Sequence, residues 1–291
     1  MKPSEVSLSK DGLNYLVTNR IPRVAATLAM GWLSHIDNKW IAKTLITAWR
    51  LVSDLDLSES AKRDFKSLHD CFTRELRPGS RTFTASETSI ASPSDGYVVG
   101  AGRLRAGQMM QAKGQYFELK DLLGDGEHSQ PFIDGHYVTL RLSATMYHRF
   151  HAPADLDLTE VRYFSGDVWN VNPPTLARIP RLYCKNERAM LRCNLRDGTP
   201  LAIVPVAAIL VASIRLHALP ERLHLRYRGA NPLSCEATYS CGDELGWFEH
   251  GSTIIVFTPP GFDIDGAITL GTRVNAGEPL FRRAIKAKYT D

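Results

Sequence analysis

Three short clusters of polar residues carry side chains that could act as nucleophile, base and acid. They are Ser94-Asp95-Gly96, Tyr147-His148-Arg149-Phe150-His151 and His250-Gly251-Ser252-Thr253, the last of which leads into an apolar run. A serine hydroxyl attacks a carbonyl carbon at neutral pH when a neighbouring base takes its proton and a carboxylate orients that base. Each cluster taken alone is also typical of an ordinary turn or a polar surface.

The order of these clusters and of further segments along the chain resembles the phosphatidylserine decarboxylase family. The resemblance runs from about residue 60 to residue 291 and rests on many motifs rather than on one pattern. The motifs are Phe72-Thr73-Arg74-Glu75-Leu76 ahead of Arg81, Ser94-Asp95-Gly96, Gln111-Ala112-Lys113-Gly114, Tyr147-His148-Arg149 with His151, Gly166-Asp167, Asn186-Glu187-Arg188, Gly246-Trp247-Phe248, Gly251-Ser252-Thr253 and Gly277-Glu278-Pro279-Leu280. So many motifs in the same order do not arise by chance.

The resemblance implies a proenzyme that cuts its own backbone between Gly251 and Ser252. In the family the serine hydroxyl attacks the preceding carbonyl carbon and the peptide shifts to an ester. Elimination and hydrolysis then leave a pyruvoyl group on the new N-terminus. The expected products are a large subunit, residues 1–251, and a small subunit, residues 252–291. Glycine at position 251 suits this reaction because no Cβ obstructs its carbonyl group.

The same resemblance assigns roles to the other polar residues. His151 is the base for self-cleavage, and Asp95 is its orienting acid. The covalent pyruvoyl cofactor is expected to form a Schiff base with the substrate amine and to accept the electrons released with CO2. His148 is expected to assist decarboxylation and to supply the proton. Because residues three apart on a strand face opposite sides, we expect a bend or turn at this segment. No metal is expected.

Three positions depart from the family pattern. His250 stands where an apolar residue is usual, and Ala207 and Ala212 stand where glycine is usual. Each added methyl group narrows the space beside a packed strand or a substrate. We interpret His250 as a surface or pocket-wall residue. These departures bear on the substrate that is preferred and not on the class of reaction.

Composition limits the classes of function. The chain has 291 residues, of which 44% are apolar, and a net charge of +4, so it can bury a sizeable core. Lysine and arginine are scattered, which argues against a nucleic-acid partner. The five cysteines lack zinc-ligand spacing and predict free thiols in a reducing compartment. The first residues lack the features of a signal or transit peptide, so we expect a bacterial cytoplasmic protein.

The elements that must position these side chains divide the chain into two regions. Helical spacing of apolar residues predicts helices over 21–36, about 40–55 and 58–76, the last ending at Pro78-Gly79. Apolar residues at helical spacing usually pack on the core of a protein. The alternative is a helix that lies in the membrane interface, which Trp32, Trp40 and Trp49 beside basic residues favour. No apolar stretch reaches the roughly 20 residues of a spanning helix, so any membrane contact is expected to be peripheral.

Beyond Arg81, short β-branched runs separated by glycine, proline and aspartate predict strands. They are 96–99, 137–140, 203–204, 209–211 and 253–257. The predicted fold class is α+β. A helical, membrane-associating region over 1–78 precedes a β-rich, largely antiparallel catalytic core over 79–291.

Further expectations come from the family alone. The substrate is phosphatidylserine in an anionic membrane, and the product is phosphatidylethanolamine. The place of action is the cytoplasmic face of the bacterial cell membrane, where the protein acts as a peripheral enzyme. The assembly is a homodimer.

Three alternatives remain open. The first is a pyruvoyl enzyme that acts on another amino-acid-containing substrate, although the tryptophan-bearing helices favour a lipid. The second is a carrier or binding module, because residues 271–280 resemble turns of biotinyl or lipoyl domains, but no swinging-arm lysine motif accompanies them. The third is a conventional serine hydrolase, which would remain a single chain.

Overall fold

A computed structural model describes residues 22–112, 114–124, 126–209, 213–225, 227–249 and 252–284, with Ser252 described by its backbone only. Helices near the N-terminal end precede several antiparallel sheets, which confirms the predicted α+β class. The helices are α1 (Arg23–Ser34), α2 (Lys39–Val52), α3 (Leu68–Phe72), α4 (Leu119–Leu123), α5 (Gly126–Ser129), α6 (Pro173–Leu176) and α7 (Leu182–Lys185), with a 3-10 turn at Gln130–Phe132.

The strands are numbered in chain order. They are β1 (Ser89–Ala91), β2 (Gly96–Arg103), β3 (Gln108–Ala112), β4 (Gln115–Glu118), β5 (His136–Arg141), β6 (Arg149–His151), β7 (Leu156–Phe164), β8 (Arg188–Leu195), β9 (Pro200–Ala207), β10 (Ser213–Leu216), β11 (Leu223–His224), β12 (Leu233–Tyr239), β13 (Glu244–Phe248), β14 (Ser252–Thr258), β15 (Phe262–Ile264), β16 (Arg273–Val274) and β17 (Pro279–Arg283).

Helices α1 and α2 confirm the first two predicted helices. The side chain of Asn38 caps α2 by accepting hydrogen bonds from the backbone N–H groups of Trp40 and Ile41, at 3.0 and 3.2 Å. These two donors have no partner within the helix, so the cap stabilises its start. Most side chains of α2 are exposed, and a narrow face that includes Ala42 and Ile46 is buried by packing.

The third predicted helix, 58–76, is wrong except for the short helix α3. Residues 58–67 form turns and bends, and Ser60 pairs with Leu76 in an isolated antiparallel bridge. Local side chains explain this: Asp56 accepts a hydrogen bond from the backbone N–H of Ser58 at 2.8 Å, and the hydroxyl of Ser60 donates to the carbonyl of Lys62 at 2.6 Å. Such bonds compete with those of a helix.

The main sheet of the described structure has eight strands in the order β12-β7-β8-β9-β14-β5-β2-β16, and neighbouring strands are antiparallel. Apolar clusters cover both of its faces. Alternate residues of β14 show this directly, since Ile254 and Val256 belong to one cluster and Ile255 and Phe257 to the other. The continuous apolar run that predicted this strand reflects burial on both sides.

A smaller sheet in the order β11-β10-β13-β6 carries the histidine-rich segment. Strand β13 lies between β10 and β6, and its Gly246 makes this arrangement possible. A Cβ atom at Gly246 would lie 2.0 Å from the carbonyl oxygen of Arg215. Any larger residue would therefore push β13 away from β10.

Most of the predicted strand over 209–211 lies outside the described residues. Ile209 lies outside the strands, residues 210–212 lie outside the described part of the chain, and β10 begins at Ser213. His250 and Gly251 also lie outside the described residues. The boundary at residue 78 stays a prediction.

The N-terminal helices pack around a small core of their own, and polar contacts join α1 to the segment that follows β7. Arg23 of α1 donates two hydrogen bonds to the carboxylate of Asp167, at 3.3 and 2.6 Å, and its guanidinium lies 3.5 Å from the ring centre of Trp169. No helix in the described ranges is long and apolar enough to cross a membrane.

Candidate active site

The segment with both histidines begins with a turn and continues as a strand. A backbone hydrogen bond of 3.1 Å, from the N–H group of Met146 to the carbonyl of Ser143, closes the turn. Tyr147 and His148 follow it in irregular backbone, and β6 begins directly after them. The turn lies before both histidines, and the residues after His148 form a strand, so a bend that would bring His148 and His151 into one pocket is not found between them.

His151, the last residue of β6, is held at both ring nitrogens. Its Nδ1 donates to the carbonyl oxygen of Gly242 at 2.9 Å, and its Nε2 accepts from the hydroxyl of Tyr147 at 2.9 Å. This tautomer places the basic lone pair on Nε2. Burial lowers the pKa of His151 below its ordinary value, although the Gly242 carbonyl and the carboxylates of Glu244 and Asp95 act in the opposite direction. The ring is therefore neutral at pH 7, as a general base must be.

Asp95 is buried directly before β2 and forms an ion pair. Its carboxylate accepts hydrogen bonds from Nε and a terminal nitrogen of Arg81, at 2.7 and 2.5 Å, and from the backbone N–H of Ala276 at 2.9 Å. The bonds to Asp95 raise the pKa of Arg81. Among the described contacts, none joins Asp95 directly to His151, and the carbonyl of Gly242 occupies the position of the orienting group. The role assigned to Asp95 stays a prediction.

The backbone nevertheless brings these two residues into one region. The N–H group of His151 donates to the carbonyl of Pro93 at 2.8 Å, two residues before Asp95. Because the two residues are close, the negative charge of Asp95 raises the pKa of His151. Aspartate and imidazole are thus neighbours without a hydrogen bond between them.

His148 is fully buried in the irregular backbone before β6. Its Nδ1 donates to the carbonyl of Met146 at 2.8 Å, which leaves Nε2 as the acceptor nitrogen of the neutral ring. The ring of Phe72 packs against it with centroids 4.0 Å apart. His148 and His151 therefore have different partners: the carbonyl of Met146 and the ring of Phe72 contact the first, and Tyr147 and Gly242 contact the second.

Ser252 begins β14 and pairs with Ala207 of β9. Its neighbour Thr253 pairs with both Val206 and Arg141. Four residues before Ser252, the N–H group of Phe248 donates to the carbonyl of His148 at 3.0 Å. The backbone on both sides of the expected cleavage point is therefore fixed, on one side to the histidine segment and on the other to the main sheet.

Sequence reasoning missed several polar groups of this region. Tyr147 and Arg149 were quoted only as parts of a motif, yet Tyr147 contacts His151, and Arg149 binds the carboxylate of Glu244 at 2.9 and 3.0 Å. Arg81 was named only as a position after a motif. Its pairing with Asp95 depends on how the chain folds back, so only the fold reveals it.

Glu187 is a further buried acid that sequence reasoning left without a role. Its side chain is fully buried. Burial raises the pKa of Glu187 to about 8, and the nearby Tyr163 and Arg222 lower it only in part. The backbone carbonyl of Glu187 accepts from the N–H group of Ala207, the residue that pairs with Ser252. A carboxyl group that is largely protonated at neutral pH thus lies directly before β8, the strand next but one to β14.

Comparison with known proteins identifies relatives along most of the chain. Residues 68–282 match the sequence profile described as phosphatidylserine decarboxylase. A phosphatidylserine decarboxylase proenzyme of Alcanivorax borkumensis is 35% identical over 264 residues, which cover 87% of this chain and 89% of the relative. One of Legionella pneumophila is 31% identical, with 93% and 98% covered. One of Saccharophagus degradans is 32% identical, with 87% and 90% covered.

Replacement of Glu187 by glutamine should flatten the pH dependence of stability. Between its ordinary value of 4.5 and about 8, the folded state holds a proton that the unfolded state has lost. The free energy of unfolding therefore falls as pH rises through this window. Urea denaturation of the Ser252→Ala chain, which is expected to stay uncut, should show a free energy of unfolding that differs less between pH 5 and pH 8 when Glu187→Gln is added. Glu236→Gln, at an exposed position, is the control. If the free energy of unfolding of Glu187→Gln fell with pH as steeply as that of the control, the raised pKa of Glu187 would be contradicted.

Proposed function

This chain belongs to the phosphatidylserine decarboxylase family and is an enzyme of that class, and we propose that it matures by cutting itself before Ser252 and acts at a membrane surface. Mature enzyme would consist of residues 1–251 and 252–291, and its reaction converts phosphatidylserine to phosphatidylethanolamine and CO2. The observation that carries this proposal is an apolar cavity lined by Phe72, whose ring packs on His148, and by Ala208, which follows the strand partner of Ser252.

The cavity has a volume of about 520 Å³ and lies between the N-terminal helices and the main sheet. Helices α1 and α2 contribute apolar side chains, and Phe72 of α3 links the cavity to the ring of His148. Ala208 and Ile209 follow Ala207, the partner of Ser252. A space with mostly apolar walls and few polar groups suits a lipid that carries a reactive head group.

Arg141 supplies the cavity with a cation. Within the described part of the chain, its buried Nε has no hydrogen-bond partner. Thr253 pairs with Arg141 across the two strands, and its buried hydroxyl also has no partner among the described residues. Buried donors that lack partners cost free energy, and an anionic ligand satisfies them. We assign Arg141 and Thr253 to the phosphate or carboxylate of the head group.

For self-cleavage, the tautomer of His151 makes Nε2 the proton acceptor. The oxygen of the Ser252 hydroxyl bonds to the carbonyl carbon of Gly251 and passes its proton to the imidazole. The imidazolium returns the proton to the nitrogen as the peptide C–N bond breaks, which leaves an ester and a free amine, and elimination then releases the carboxylate of Gly251. Gly242, which accepts from Nδ1, holds the tautomer that this transfer requires, and the hydroxyl of Tyr147, which donates to Nε2, must turn away before Nε2 takes the serine proton.

A pyruvoyl group at position 252 supplies an electron sink for the decarboxylation. The residues present fit this group, because Thr253 places a buried, unsatisfied hydroxyl in the next position of the chain. The ring of His148 packs against that of Phe72, and its Nε2 carries the lone pair of the neutral ring because Nδ1 donates to Met146. His148 therefore delivers a proton to carbon only after Nε2 has taken one up, and burial of the ring limits access of solvent to the same carbon.

Helices α1 and α2 support action at a membrane. Large apolar side chains are exposed along them, including Trp32 at 74%, Trp40 at 80%, Leu51 at 82% and Val52 at 84%. Exposed lysines and an arginine accompany them on α2. Tryptophan with basic residues favours binding in the interfacial plane of an anionic membrane. We further propose peripheral association with the cytoplasmic face of the bacterial cell membrane, and a homodimer on the basis of the family.

Mutation of Ser252, His151 and His148, one at a time, should separate maturation from turnover. Ser252→Ala should remain one chain of 32.4 kDa without activity. His151→Ala should also remain uncut because the base is lost. His148→Ala should mature and then lose decarboxylation. Denaturing gels with intact-mass analysis measure cleavage, and release of CO2 measures turnover. A processed Ser252→Ala chain, or equal processing defects in both histidine variants, would refute these assignments.

Arg141→Leu should lower kcat/KM for short-chain phosphatidylserine in detergent micelles by about 10- to 100-fold, because a charge-assisted hydrogen bond contributes roughly 1.5–3 kcal/mol. Arg141→Lys should lose less. Gels should show normal maturation in both. The matched control is Arg192→Leu, which removes an exposed arginine from β8 of the same sheet. An unchanged kcat/KM in a matured Arg141→Leu enzyme would exclude contact with the head group.

Replacement of Trp32 and Trp40 by serine should weaken binding to anionic vesicles by about tenfold or more, because each ring loses its apolar burial in the interface. Sedimentation with phosphatidylserine vesicles measures the bound fraction. The matched control is Tyr116→Ser, an aromatic residue of β4 that is 60% exposed and distant in sequence. Equal losses in both proteins, or no loss in the tryptophan variant, would contradict the proposed face.

A further inference from the structure

Two histidines and a glutamate meet where the N-terminal helices contact the smaller sheet. His35 follows the end of α1, His69 lies in α3, and Glu249 follows β13. One ligand atom from each residue lies within 4.8 Å of the other two. These residues are separate from the serine and histidines assigned above, and the motifs that carry the family resemblance do not include them.

His35 has its Nδ1 fixed by the backbone. This nitrogen donates to the carbonyl of Gly31 at 2.7 Å, which makes Nε2 the nitrogen with the available lone pair in the neutral ring. Histidines that bind metals usually hold their other ring nitrogen in this way, because the hydrogen bond sets the tautomer and the orientation of the ring.

Glu249 is buried, and its carboxylate is held from one side. Its Oε2 accepts hydrogen bonds from the hydroxyl of Ser213 and, at 3.1 Å, from Arg222. Its Oε1 can therefore bind a ligand without breaking either bond. Hydrogen bonds of this kind orient metal-binding carboxylates. The positive charge of Arg222 lies on the Oε2 side and balances part of the charge of the carboxylate.

The ring of His69 lies against that of His35. Their centroids are 4.0 Å apart, and their planes are inclined by 23°. Two stacked imidazoles beside a buried carboxylate give two nitrogen ligands and one oxygen ligand, the donor set that zinc and similar transition metals prefer. Ligand atoms of a tetrahedral zinc ion lie about 3.4 Å apart. The candidate ligand atoms lie within 4.8 Å of one another, so binding requires the three side chains to move closer together.

We propose that His35, His69 and Glu249 bind a divalent transition metal of the zinc type, with water in the remaining position. Bound metal ties α1 and α3 to the strand that leads towards residues 250–251. Met30 and Leu33 of α1 and Leu68 and Phe72 of α3 line the cavity, so the metal also fixes the position of one cavity wall. The site does not depend on the proposed decarboxylation.

Chelator-treated full-length protein, titrated with Zn²⁺ by calorimetry, tests the site. We expect one equivalent to bind, and His69→Gln and Glu249→Gln each to weaken binding at least tenfold, roughly the effect of removing one ligand. His217→Gln is the matched control, because His217 and Glu244 form an exposed histidine–carboxylate pair at 2.8 Å. Thermal unfolding without metal checks that the variants fold, and Zn²⁺ should raise the unfolding temperature of the native protein more than that of either variant.

Co²⁺ provides a readout that needs no variant. Bound at this site in the native protein, it should give the intense visible absorption of a four- or five-coordinate ion, and Zn²⁺ should abolish that absorption. A native protein that binds no Zn²⁺, a Co²⁺ spectrum typical of the hydrated ion, or a loss of binding in His217→Gln that equals the loss in the site variants would overturn the proposal.

Discussion

The placement of β13 between β10 and β6 is the constraint on which the candidate site depends. Strand β13 leads towards residue 252, and its hydrogen bonds join it to β10 on one side and to β6, which carries His151, on the other. Gly246 permits this because a side chain there would meet the carbonyl of Arg215. One strand thus sets the positions of His148 and His151, and its continuation carries Glu249. A displacement of β13 would alter the environment of all three side chains together.

The main sheet imposes a second constraint, on the segment after the expected cleavage point. Strand β14 has β9 on one side and β5 on the other, and its apolar residues are buried on both faces. Strands β16 and β17 pair with β2 and β1. A cut before Ser252 breaks none of these ladders, so the two expected subunits would remain one folded unit. The fold would therefore tolerate a break in the chain before Ser252.

The N-terminal helices have two sides with different surroundings. Their inner side closes an apolar cavity, and their outer side exposes tryptophan and aliphatic side chains. The contact of Arg23 with Asp167 attaches α1 to the segment that follows β7 through polar groups. Because a membrane surface would bury the outer side, it could change the position of these helices relative to the sheets, and a metal at His35 and His69 would oppose that change.

The sequence by itself determined the α+β class, the first two helices and the buried strand β14, because local periodicity and long apolar runs report burial directly. Its motifs also indicated the family. The third helix failed because Asp56, Ser58 and Ser60 bond locally, a competition that apolar spacing does not show. Only the tertiary structure paired Arg81 with Asp95, gave the Nδ1 of His151 its partner in Gly242, raised the pKa of Glu187 and brought His35 to His69 and Glu249. These contacts depend on how separate segments of the chain meet, and their energies depend on burial, which pattern alone does not specify.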